Sequence, residues 1–169
     1  MRFLLAFIAS CFIALHCHAQ TLTGEPPKNV TGTFYVSVDD GATIYVNGKK
    51  VHGAGIGESR SGELVLSQDD RIVVQLRDDG GGRRFMMTFV STDRKTVVSF
   101  RHRNFKNIPD LDVTDFTVKD FERLTKFAKE EKHKPVFPFK DYSEWIWGDL
   151  SKGSIGCMVT PEMIKPMPK

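Results

Sequence analysis

The sequence predicts a mainly β protein, an antiparallel sandwich or jelly roll with one amphipathic α-helix near residues 118–134. Three observations predict it. Short runs of aromatic and β-branched residues follow one another from Gly32 to about Phe105. Gly and Asp turns separate them at close, regular spacing, the pattern of an all-β domain. One later stretch switches to a helical period.

The first strand is Phe34-Tyr35-Val36-Ser37-Val38, and Asp39-Asp40-Gly41 breaks it. Thr43-Ile44-Tyr45-Val46 and Lys49-Lys50-Val51 flank Asn47-Gly48. Asn-Gly between two such runs specifies a two-residue hairpin, because both residues tolerate positive φ. Gly53-Ala54-Gly55-Ile56-Gly57 reads as a loop. Residues 63–66 and 71–76 are strands on either side of Ser67-Gln68-Asp69-Asp70. Strands at 85–90 and 96–100 follow the Asp78-Asp79-Gly80-Gly81-Gly82 turn.

From Val118 the apolar positions are Val118, Phe121, Leu124 and Ala128, with charges between them. Thr117 suits the N-cap, Asp120 the first turn, and Pro135 lies just past the end. The apolar stripe is expected to pack on the sheet. Glu144-Trp145-Ile146-Trp147 and Ser154–Val159 read as closing strands. Residues 20–32 read as a flexible leader, 33–160 as one domain, and the Pro-bearing residues 161–169 as a disordered tail.

Residues 1–19 have the form of a cleavable signal peptide. Arg2 precedes an uncharged apolar run, and small residues, Cys17 and Ala19, precede the cut. The run is too short to span ~30 Å of hydrocarbon, and no second one of spanning length follows. The chain is therefore expected to be secreted and not to cross a membrane. Cleavage removes two of three cysteines and leaves Cys157, which excludes an internal disulfide framework. Cys157 is then buried, bridged to another chain in a disulfide-linked dimer, or a free thiol. Asn29-Val30-Thr31 is an N-glycosylation acceptor sequence. The chain has 24 Lys and Arg against 21 Asp and Glu, and Arg2 leaves with the signal. This near-balance, with no basic stripe among aromatics, does not suggest nucleic acid.

The segment Val38-Asp39-Asp40-Gly41-Ala42-Thr43-Ile44-Tyr45-Val46-Asn47-Gly48-Lys49-Lys50-Val51 resembles a hairpin of PA14-type and galactose-binding-like jelly-roll domains. The resemblance covers roughly residues 33–100. It implies an extracellular jelly roll and, by analogy with sugar-binding PA14 domains, calcium held by Asp39 and Asp40 that grips a diol. Calcium does require several hard oxygen ligands. The same Asp-Asp pair also suits a turn with no ligand, and Asp69-Asp70 and Asp78-Asp79 repeat it.

No nucleophile, zinc or phosphate-loop motif is present, so no catalytic residue is expected. His52, His102 and His133 lack metal-ligand spacing. Trp145, Trp147 and Tyr142 are candidates for stacking on sugar rings, against the plainer reading that they seal the core. Arg101-His102-Arg103 with Lys106 is a small basic cluster, either a solvated face or a contact for acidic polymers. The sequence is thus read as a secreted, non-enzymatic protein that binds a glycan or matrix polymer with calcium assistance. The alternative is a structural component of an extracellular or mineralised matrix.

Overall fold

The computed structural model describes residues 25–80, 83–108, 117–130, 139–148 and 152–167. The signal peptide expected at 1–19 lies outside the described residues. The protein is mainly β and antiparallel, with one short α-helix among the described residues.

Its organising element is one long strand, β1 (Asn29–Val46), paired along both edges. On one edge it meets β2 (Lys49–Arg60) and β3 (Leu64–Ser67). On the other, residues 32–38 pair with β5 (Phe85–Ser91), and residues 41–46 pair with β4 (Arg71–Arg77). The switch falls at Asp39-Asp40. The β1–β2 register shifts there, so both residues oppose Ile56 alone, and Asp40 adopts φ 68°. This is a β-bulge, and a bulge lets one strand turn a corner between two layers. The sequence reading of a break at Asp39-Asp40-Gly41 becomes a bend inside a continuous strand.

One layer continues from β5 to β6 (Thr96–Ser99) and β11 (Ile164–Pro166). The other continues from β4 to β10 (Lys152–Met158) and β7 (Lys106–Ile108). The core between them follows the two-residue period of strands. Phe34, Val36, Phe85, Met87 and Phe89 from the first layer join Ile44, Ile72, Val74, Ile155 and Cys157 from the second in one buried cluster. Phe34 and Phe89 pack edge to face at 4.9 Å, an arrangement that aromatic quadrupoles favour.

The edge strand β2 follows the bend. Val51 is bulged out between the Ile44–His52 and Tyr45–Lys50 pairs, and Gly57 takes φ 97°. His52 Nε2 and Ser59 Oγ, seven residues apart on one strand, come within 2.9 Å. An extended strand would hold them about 23 Å apart at its usual rise, so β2 is sharply folded. Their β1 partners, Ile44 and Val36, both point into the core. Residues 53–57, expected as a loop, are therefore strand. Asn47 and Gly48 form the expected hairpin turn at φ 50° and 80°.

The helix is shorter than expected. α1 (Val118–Arg123) is capped by Thr117, whose hydroxyl accepts from the Asp120 amide. Leu124 leaves the helical region, and the chain then runs along the β7 edge. The Asn107 amide donates to Lys126 O at 2.8 Å, and Ala128 N to Phe105 O at 2.9 Å. Lys129–Glu130 forms β8 against β9 (Ile146–Trp147). Strand pairing here satisfies backbone groups of an open sheet edge, which outweighs a charged helix with few turns. Phe121 and Leu124 do pack on the sheet's outer face, beside Val73, Ile108 and Tyr45. Residues 131–134 of the expected helix lie outside the described residues.

Both ends of the domain differ from expectation as well. Asn29–Gly32, read as leader, opens β1 and pairs with β3. Residues 161–166, read as a disordered tail, form a 3-10 turn and β11, with Met163 and Ile164 buried. Among the described residues no helix is long and apolar enough to cross a membrane.

Candidate functional site

The outer face of the second layer carries an open groove of about 600 Å³. Strand register sets out its floor. One row across the sheet runs Gly55, Gly41, Arg77; the next runs Gly53, Thr43, Gln75, Ser154, Ile108. The row beyond contains Tyr45 and Val73, which Phe121 of α1 and Leu124 just beyond it cover. The groove is thus the part of this face that the helix leaves bare.

Glycines make it a trough. Among the described residues, a Cβ at Gly55 would meet nothing within 4 Å, one at Gly53 only the end of the Lys50 side chain at 3.6 Å, and one at Gly41 ordinary contacts at 3.5 Å. None of the three takes a positive φ. Neither packing nor backbone conformation requires glycine there, although glycine weakens a strand by about 0.5–1 kcal/mol relative to Ala. By contrast, Gly32 is obligatory, because a Cβ there would lie 2.2 Å from the Val90 carbonyl oxygen.

Polar groups converge on the floor. Tyr45 Oη donates to Gln75 Oε1 at 3.1 Å, which leaves the Gln75 NH2 as its donor. The Thr43 and Ser154 hydroxyls both donate and accept. Arg77 stands at the rim with Nε on Asp79 Oδ2 at 2.9 Å. The set alternates donors and acceptors and suits a ligand rich in hydroxyl groups.

The aromatic residues expected to stack on sugars are placed elsewhere. Trp145 and Trp147 are 8% and 1% exposed. Trp147 belongs to the main core, and Trp145 packs with Met86 on the outer face of β5. Neither offers a ring face to a sugar, which corrects the stacking-platform reading. Trp145 lies just before β9 and enters a different cluster from Trp147. Tyr142 is half-buried, and its carbonyl accepts from Ser99 Oγ at 2.7 Å.

Asp39 and Asp40 are already engaged within the fold. Asp39 Oδ2 pairs with Arg84 at 3.1 Å, and Asp40 Oδ2 accepts from the Asp79 amide at 2.7 Å. Asp78 binds Arg83 at 2.9 Å, and that hydrogen bond holds its carboxyl below the ordinary range. Among the described residues no three His, Cys, Asp or Glu side chains converge as metal ligands do. This donor set, tied to arginines and amides, does not fit a calcium ion.

Cys157 is 1% exposed in the interior strand β10, and burial pushes its thiol far above the usual range. It is the small buried hydrophobe of the three readings, with no route to another chain while the sheet is closed. Asn29 and Thr31 are both exposed on one side of β1, with Val30 buried between them. His52 is partly buried, and desolvation lowers its pKa.

Sequence reasoning missed the groove. Its signal was the spacing of Gly53, Gly55 and Gly57, every second residue, which on a strand clears a single face.

No family model matches this chain, and neither a curated protein nor a solved structure matches it. The resemblance to PA14-type and galactose-binding-like domains rests on the pattern of strands and turns over roughly residues 33–100.

Proposed function

We propose that this is a secreted, non-enzymatic β-sandwich that binds an extracellular glycan in the groove over Gly41, Gly53 and Gly55, without calcium. One observation carries the reading: three glycines that neither packing nor backbone conformation requires keep a polar strand face open. Thr43, Gln75, Ser154 and Arg77 supply hydrogen bonds of the kind sugar hydroxyls exchange, and β1 and β4 hold most of them on a rigid sheet. The structural-matrix reading loses its covalent link, because Cys157 is buried.

The test is a glycan-array screen followed by calorimetry of any hit, repeated with Gly53→Val and Gly55→Val. Valine favours strands and fills the trough, so both variants should fold and lose the ligand. Silence across the array, or undiminished binding by both folded variants, would sink the proposal.

A further inference from the structure

A second pocket, of about 480 Å³, lies in the other layer beside β6 and β11. We propose that it binds the anionic substituent, a sulfate or carboxylate, of an acidic polysaccharide. The inference shares with the previous reading only the assumption that the partner is a glycan.

Two of the lining residues, Arg101 and His102, are anchored by Glu144, which does not itself line the pocket. Its carboxylate binds Arg101 Nη1 through one oxygen and His102 Nδ1 through the other at 2.7 Å. Burial alone would raise the Glu144 pKa, but the hydrogen bonds from His102 and Arg101 outweigh it and lower the value. Glu144 is therefore an ionised acceptor, so His102 must donate from Nδ1, and Nε2 is the ring's remaining polar atom. Arg101 Nη2 also donates to the Asp141 carbonyl. Arg101 and His102 are thus fixed in place before any ligand arrives, which reduces the ordering cost of binding.

Two more cations, Arg103 and Lys165, line the same pocket. Neither forms an ion pair among the described residues, whereas Arg77, Arg83 and Arg84 each have an aspartate. Asn104 uses its side-chain oxygen on the Arg101 amide and leaves its NH2 group. Phe127, 56% exposed, forms an apolar wall. Glu162 is the carboxylate among the lining residues. With Arg101 neutralised by Glu144, Arg103 and Lys165 face Glu162 alone, which leaves an excess of one positive charge among these side chains. Unpaired cations, one carboxylate acceptor and an apolar wall suit a sugar with both an anionic substituent and free hydroxyls.

Calorimetry with dextran sulfate, unmodified dextran and sodium sulfate tests this. Dextran sulfate should bind, more weakly as salt rises, and should lose about tenfold in affinity or more in Arg103→Ala/Lys165→Ala. Arg94→Gln/Lys95→Gln, which removes the same charge elsewhere, should bind as the parent does. The groove variant Gly53→Val should also keep this binding, which separates failure of one site from failure of the other. Equal affinity in Arg103→Ala/Lys165→Ala and the parent would overturn the proposal. So would sodium sulfate binding as tightly as the polymer, because a free ion would then be the whole ligand.

Discussion

Substituting Ala for Gly55 and for Gly32 should move stability in opposite directions. At Gly55 the new methyl meets nothing within 4 Å and the backbone φ is not left-handed. The substitution therefore acts mainly by removing glycine's freedom in the unfolded chain, a gain of about 0.5–1 kcal/mol. At Gly32 the Cβ would lie 2.2 Å from Val90 O and 2.9 Å from Ser91 Cα. Those are backbone atoms of a paired strand, and relief requires β1 and β5 to separate by about 1 Å where Gly32 opposes Ser91. Overpacking of this kind costs about 1–3 kcal/mol or more. Urea unfolding followed by tryptophan fluorescence reads both, because the buried Trp145 and Trp147 report on opening of the core. In a domain of this size each kcal/mol shifts Tm by about 2–4 °C. Gly55→Ala should raise Tm and Gly32→Ala should lower it. A Gly55→Ala variant less stable than the parent would refute the reasoning, because the fold itself would then need that glycine.

Three further outcomes follow from the same geometry. Asn47→Ala removes a left-handed turn residue, its 2.7 Å bond to Asp70 and its 2.9 Å bond from the Arg71 amide; chemical denaturation should register a loss of about 2 kcal/mol, and Asn47→Gly a smaller one. His52 has a folded pKa below its ordinary 6.5, so the unfolded chain binds more protons as pH falls. Its contribution is complete above about pH 6.5 and is lost on acidification below it; stability–pH curves of the parent and His52→Gln should diverge in that window. Cys157 in a chain lacking residues 1–19 should not react with a thiol reagent until urea opens the sheet, whereas immediate reaction of the native protein would contradict its burial.

The sequence made the strands legible where local signals and tertiary demands agree. The Asn47-Gly48 turn and the strands at 71–76 and 85–90 combine turn chemistry with β-branched or apolar runs, and all appear as read. Misreadings occurred where long-range pairing decides the conformation. Gly53–Gly57 lacks side chains that mark a strand, yet the bent β1 recruits it. Val118–Ala128 has a helical stripe, yet its second half pairs with the β7 edge. Ile164–Pro166 is flanked by prolines and still completes a layer against β6. The groove was hidden for the same reason, since its floor joins residues from five strands whose order the sequence does not contain. The two tryptophans were ambiguous because a strand buries or exposes aromatics according to what covers it. Here the segment around Phe139 and Trp145 covers the outer face of β5.

The central claim is that the glycine-cleared face of β1, β2, β4 and β10 is a glycan site. Titration of the isotopically labelled protein with an oligosaccharide identified on the array tests it most directly, by amide shifts in two-dimensional NMR. Perturbations should concentrate at Thr43, Gly53, Gly55, Gln75 and Ser154 and persist when calcium is chelated. Perturbations confined to other faces, or binding that disappears with chelation, would contradict it.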